Sequence, residues 1–146
     1  MSSKTRFLIV DDQVVIRKII INFLRKGGYV SFEIAEDGKK ALEILEQTDI
    51  DFIIADWNMP NMNGLELLDK VRENAEWQKL PFIMLTAEAH EDSVLMAGLH
   101  KATDYILKPF TEDLLLKKVA KALRSGNSAM QTTQENVRSA SPVKSS

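Results

Sequence analysis

Four apolar runs punctuate the chain: Phe7-Leu8-Ile9-Val10, Phe52-Ile53-Ile54-Ala55, Phe82-Ile83-Met84-Leu85 and Tyr105-Ile106-Leu107. Continuous runs of this length suit parallel strands covered on both faces, rather than the alternation of a sheet with one wet side. Between them, apolar residues recur at helical spacing. Over 14–26, Val15, Ile16, Ile19, Ile20, Phe23 and Leu24 form such a stripe, which stops at Gly27-Gly28, a C-terminal signal. A second strand is expected over 29–34. Ala41, Leu42, Ile44 and Leu45 mark a helix over 37–47, and Leu65, Leu67, Leu68 and Val71 mark another over 64–74; segments 91–101 and 112–124 supply two more. Five strands alternating with five helices predict an α/β domain with a parallel sheet, helices on both faces and right-handed crossovers.

Each run ends on a residue that carries chemistry: Asp11 and Asp12, then Asp56, then Thr86, then Lys108 with Pro109. In an open parallel sheet, ligands bind beyond the carboxyl ends of the strands, so these stations should converge on one edge. Three carboxylates gathered there repel one another unless a cation sits among them. Mg²⁺ is the natural choice, with Mn²⁺ as the alternative, because it prefers oxygen ligands and takes one or two carboxylates plus a substrate phosphate. One carboxylate can then serve as a nucleophile. Phosphoryl transfer to a carboxylate oxygen needs positioning and charge neutralisation more than covalent help, and an ammonium, a hydroxyl and a backbone N–H supply both.

Taken together, Asp11-Asp12, Asp56-Trp57-Asn58-Met59-Pro60 with Asn63-Gly64, Thr86-Ala87-Glu88 and Lys108-Pro109-Phe110 resemble the receiver domain of two-component response regulators, most closely the stand-alone chemotaxis regulators. The resemblance covers about residues 5–124 and implies the flavodoxin-like (βα)5 receiver fold, a five-stranded parallel sheet in the order 2-1-3-4-5. It implies that Asp56 is the phosphoacceptor. Asp12, Asp56 and the Asn58 backbone carbonyl would hold Mg²⁺ directly, and Asp11 through water; Thr86 and Lys108 would contact the phosphoryl oxygens. Thr86 and Tyr105 would form the switch, Asn58 and Glu88 would tune phosphate lifetime, and the Lys108-Pro109 peptide would be cis. The implied partners are a sensor histidine kinase and a downstream protein, such as a flagellar switch protein or a phosphotransfer protein. They would bind at the face made by the helix before the fifth strand, that strand and the last helix. A monomer is expected, with dimerisation on phosphorylation as the variant. Where many receivers have Gly four residues before the switch Tyr, this chain has Lys101.

Each residue also has an ordinary reading. Asp is a favoured N-cap, so Asp12 is expected to cap the first helix as well as to bind metal. Thr86 alone would be a strand-end threonine, Lys108 alone a solvated lysine, and Tyr105 a half-buried strand aromatic. Trp57 reads as local packing, and His90 and His100 as surface residues. Met96 and Leu116 lie off their helical stripes and are divided between chance exposure and partner contact.

Composition narrows the field. With 146 residues, 45% of them hydrophobic, one domain is expected over 1–124; the Ser, Asn, Gln and Thr of 125–146 predict a disordered tail or linker. A net charge of −2 offers no basic stripe for direct nucleic-acid binding. The absence of Cys removes disulfides and thiolate metal sites, and with no signal-peptide core or membrane-length run a cytoplasmic protein without membrane insertion is expected. Two other classes compete with a signalling module. A Mg²⁺-dependent aspartyl-phosphate phosphohydrolase would carry Asp-x-Asp-x-Thr after the first strand, where this chain has Asp11-Asp12-Gln13-Val14; a flavin-binding flavodoxin would carry a Thr/Ser/Gly-rich phosphate loop there. Within the signalling class, a phosphorelay intermediate and a receiver severed from an output domain stand beside the chemotaxis reading.

Overall fold

A computed structural model of the chain describes residues 4–87, 96 and 101–135, with side chains in the last helix described as far as Ser125. The element order is β1 (Arg6–Val10), α1 (Val14–Lys26), β2 (Ser31–Ala35), α2 (Gly38–Gln47), β3 (Phe52–Asp56), α3 (Gly64–Glu73), β4 (Phe82–Thr86), β5 (Asp104–Leu107) and α4 (Glu112–Glu135). The helix expected over 91–101 lies outside the described residues, apart from Met96 and Lys101. All four strand pairings are parallel, and the sheet order is β2-β1-β3-β4-β5, as the resemblance implies.

Alternation along the central strands sorts their side chains onto two faces. Phe7, Ile9, Phe52, Ile54, Ile83 and Leu85 face one way and pack with Ile20 and Leu24 of α1 and Leu115, Val119 and Ala122 of α4. Leu8, Val10, Ile53, Ala55, Phe82 and Met84 face the other way, against Ala41 and Leu45 of α2 and Leu67, Leu68 and Val71 of α3. Because both faces are covered, β3 and β4 are buried along their whole length. Each large apolar side chain among them contributes roughly 1.5–3 kcal/mol of transfer free energy.

The edges depart from the expectation. The second strand begins at Ser31 rather than Tyr29. Tyr29 is core all the same, its ring set edge-on to Phe7 at 4.9 Å, so its apolar character reports packing and not strand membership. Leu116, split above between exposure and partner contact, packs against the first core cluster and over Gly27, whereas Met96 is exposed. The last helix continues past Arg124 to Glu135. Helical hydrogen bonds are local, so a helix anchored at one end can run on where the apolar stripe has stopped.

Lys101 adopts a left-handed conformation, φ 67°, at the place where many receivers have Gly. A side chain there costs roughly 1–2 kcal/mol. The turn is held by Arg72 of α3, whose Nε donates to the Lys101 carbonyl at 2.9 Å and whose Nη1 donates to the Leu80 carbonyl at 2.8 Å.

Candidate functional site

The carboxyl ends of β1, β3 and β4, with the residue after β5, bring the expected stations together. Asp11, Asp12 and Asp56 each present a carboxylate oxygen within 4.8 Å of the others. Asp11 is fully buried, Asp56 is 7% exposed and Asp12 is exposed. The Lys108 ammonium reaches in from beyond β5, 3.0 Å from Asp56 Oδ1 and 3.4 Å from Asp11 Oδ2. Its backbone N–H donates to the Thr86 carbonyl at 2.7 Å, and the Lys108-Pro109 peptide is cis. Thr86 is buried at the end of β4, one strand from Asp56.

Burial sets the electrostatics. It pushes the Asp56 carboxyl above its ordinary pKa, Lys108 works against that push, and the Asp11 charge adds to it. For Lys108, burial alone would favour the neutral amine, yet hydrogen bonding and charge from Asp56, then Asp11, outweigh it and raise the pKa. The site is therefore a half-buried cation between two buried anions, with a third carboxylate at the mouth.

The first acidic pair divides its labour. Asp12 does not cap α1: the N-cap is Gln13, which makes no side-chain cap. Instead Asp11 Oδ1 accepts the Gln13 N–H at 2.9 Å, and Arg17 Nη1 donates to the Asp11 carbonyl at 2.6 Å. These bonds hold the turn, so Asp12 has no local duty and faces solvent at the cluster. An exposed acid beside two buried ones suits a hard cation that keeps part of its water shell. The donors brought together, three carboxylates, fit Mg²⁺.

After β3 the chain turns on close backbone contacts. The Trp57 N–H donates to Leu85 at 2.8 Å and the Gly64 N–H donates to Trp57 at 2.9 Å. Gly64 lies so near Asp56 that a Cβ there would collide with the Asp56 carbonyl oxygen and meet Met84 Sδ at 2.8 Å, which leaves room for glycine alone. Asn63 and Glu66 then form a capping box that starts α3. Asn58 is exposed in this loop. Tyr105 lies on β5, 37% exposed, with the Lys118 ammonium 5.5 Å above its ring and bonded to Asp104 at 2.9 Å. Glu88, His90 and His100 lie outside the described residues.

Sequence reasoning missed three residues that support this edge: Arg17, Asp37 and Asn61. Asp37 had a visible signal, an Asp directly ahead of a helical stripe. Asn61 had a weaker one, since Asn tolerates left-handed backbone.

Known proteins are similar to this chain. The family model described as response regulator receiver domain matches residues 7–120. Chemotaxis protein CheY-3 of Vibrio cholerae serotype O1 is 40% identical over 121 residues, 83% of this chain and 93% of that protein. Chemotaxis protein CheY of Pseudomonas aeruginosa is 40% identical over 122 residues, 84% of this chain and 98% of that protein. Among solved structures, chemotaxis response regulator CheY4 of Vibrio cholerae superposes with a TM-score of 0.75 at 34% identity, covering 81% of this chain and 98% of that one.

Proposed function

The chain belongs to the response regulator receiver domain family, and from that premise we propose that it is a chemotaxis-type regulator that takes a phosphoryl group on Asp56 from a histidine kinase. The observation that carries the reading is the Lys108 ammonium 3.0 Å from Asp56 inside a cluster of three carboxylates.

Asp56, more basic than an ordinary carboxylate, attacks phosphorus through one oxygen while the bond from phosphorus to the donor imidazole breaks and its electron pair returns to the ring. Asp11, Asp12, Asp56 and the Asn58 carbonyl would hold Mg²⁺, which would neutralise charge on the transferring group. The other contributions come from the chain itself. Lys108 moves its ammonium from the free carboxylate to a phosphoryl oxygen. Thr86 donates its hydroxyl to another oxygen, and its movement leaves room for the Tyr105 ring, exposed here, to turn inward. Phosphorylation then shifts an equilibrium between two conformers that a downstream protein reads at the β5 face. Attack of water on the acyl phosphate restores Asp56 and releases inorganic phosphate. The names of the relatives favour chemotaxis as the pathway. We place the domain at 1–124 and read it as a monomer in the cytoplasm; among the described residues no helix is long and apolar enough to cross a membrane.

The test is intact mass and phosphosite mapping after incubation with a small acyl phosphate and Mg²⁺. One labile adduct on Asp56, absent from Asp56→Asn and from metal-free protein, is expected. Labelling of Asp56→Asn at wild-type stoichiometry would refute the assignment.

A further inference from the structure

The loop that follows the phosphoacceptor is fastened at its far end to a helix that takes no part in the site. Asn61, in left-handed backbone at φ 65°, donates its side-chain amide to Asp37 Oδ2 at 2.6 Å. Asp37 is 7% exposed and is also the N-cap of α2, accepting the Lys40 N–H at 2.9 Å on its other oxygen. Beside this bond, the Gly38 N–H donates to the Met62 carbonyl at 3.1 Å. The Met62 side chain lies flat on Gly38, where a Cβ would meet its Cγ at 2.6 Å. A carboxylate saturated by a helix N–H and an amide is a rigid anchor: its pKa is held below the ordinary value, first by Lys40 and then by Asn61.

The near end of the loop is equally fixed, through Trp57 to Leu85 and Gly64 to Trp57. Asn58, Met59 and Pro60 are strung between the two anchors outside regular secondary structure, with the Pro60 carbonyl taken by the Met62 N–H at 2.7 Å. We infer that the Asp37–Asn61 bond is a positioning latch that sets the Asn58 carbonyl for the cation, making Asn61 and Asp37 positioning residues for phosphoryl acceptance at Asp56. The inference rests on the reading given above of Asp56 as acceptor and of the Asn58 carbonyl as a cation ligand. The physical reason is that a backbone carbonyl cannot adjust by rotamer. Its aim is fixed only by where the chain on either side is tied, and support behind a metal ligand commonly carries 10–100-fold in affinity.

The test compares the full chain with Asn61→Gly, Asn61→Asp and the exchange Asp37→Asn with Asn61→Asp. Asn61→Gly keeps the left-handed backbone and removes the latch; the exchange rebuilds the latch with donor and acceptor reversed. Mg²⁺ titration followed by tryptophan fluorescence is read beside thermal unfolding of the metal-free proteins and the rate of labelling by an acyl phosphate. Asn61→Gly is expected to bind Mg²⁺ about tenfold more weakly and to label correspondingly more slowly at limiting Mg²⁺. Asn61→Asp alone should share the loss, and the exchange should recover most of it. A lowered thermal midpoint with wild-type Mg²⁺ affinity and labelling would make the bond merely structural and overturn the inference. Wild-type protein that neither binds Mg²⁺ nor labels would overturn the Asp56 reading, and the inference with it.

Discussion

The middle of the sheet and its carboxyl edge both bury side chains, and they are chemically opposite. Ile54 and Asp11 are both fully buried, but Ile54 is surrounded by apolar side chains whereas Asp11 shares its space with Asp56 and the Lys108 ammonium. In the middle, burial is the source of stability. At the edge it is a cost, offset in part by Lys108, and it raises the pKa of Asp56. Removing an apolar side chain from the middle and removing an acid from the edge should therefore differ in sign as well as in size.

The largest effect belongs to the middle. Ile54→Ala removes a side chain from the layer between α1 and α4 and should cost about 3–4 kcal/mol in denaturant unfolding, with Mg²⁺ affinity of the folded fraction unchanged. Lys108→Ala leaves the buried carboxylates without their cation and should cost about 2 kcal/mol in metal-free protein. Added Mg²⁺ should restore more stability to this variant than to wild type, and the variant should still take phosphate while responding weakly at the partner face. A wild-type partner response would count against Lys108 coupling the phosphoryl group to that face.

Asp56→Asn should move the other way and stabilise metal-free protein by about 1 kcal/mol at neutral pH, the usual scale for relieving a strained functional site. The sign follows from linkage. A carboxyl whose pKa is raised by folding loses stability for the protein as pH climbs from its unfolded value, near 3.8, through its folded value. The advantage of Asp56→Asn over wild type should therefore shrink as pH falls through that window. A gap that stays constant from pH 7 down to pH 3 would contradict the electrostatic account of the edge.

The smallest effect tests a position belonging to neither region. Lys101→Gly releases a side chain from left-handed backbone and should add somewhat under 1 kcal/mol, because freedom gained by the unfolded chain takes back part of the gain. No change in Mg²⁺ affinity should accompany it.

The central strands and the chemistry at their ends were legible because parallel, doubly covered strands write themselves as unbroken apolar runs, and each run stops where the backbone leaves the sheet. The edge strand β2 was legible only to within two residues: its side chains are partly exposed, and Tyr29 carries core character outside the ladder. The capping role expected of Asp12 failed for a similar reason, since a side chain's preference for a cap does not reveal which neighbour takes the N–H first.

The sequence by itself determined the order of the described elements and the identity of the residues that meet at the carboxyl edge, which follow from periodicity and residue type. It did not determine which residues of an apolar stripe are covered, since Val15 and Ile19 are exposed and Leu116 packs against the core. Tertiary structure alone decided which aspartate is buried, that Lys108 reaches Asp56 and Asp11 together, that Asn61 is tied to Asp37, and that Lys101 can occupy a glycine's conformation under Arg72. Those outcomes depend on distances between residues far apart along the chain. Such distances exist only once the sheet has fixed its register and the helices have packed.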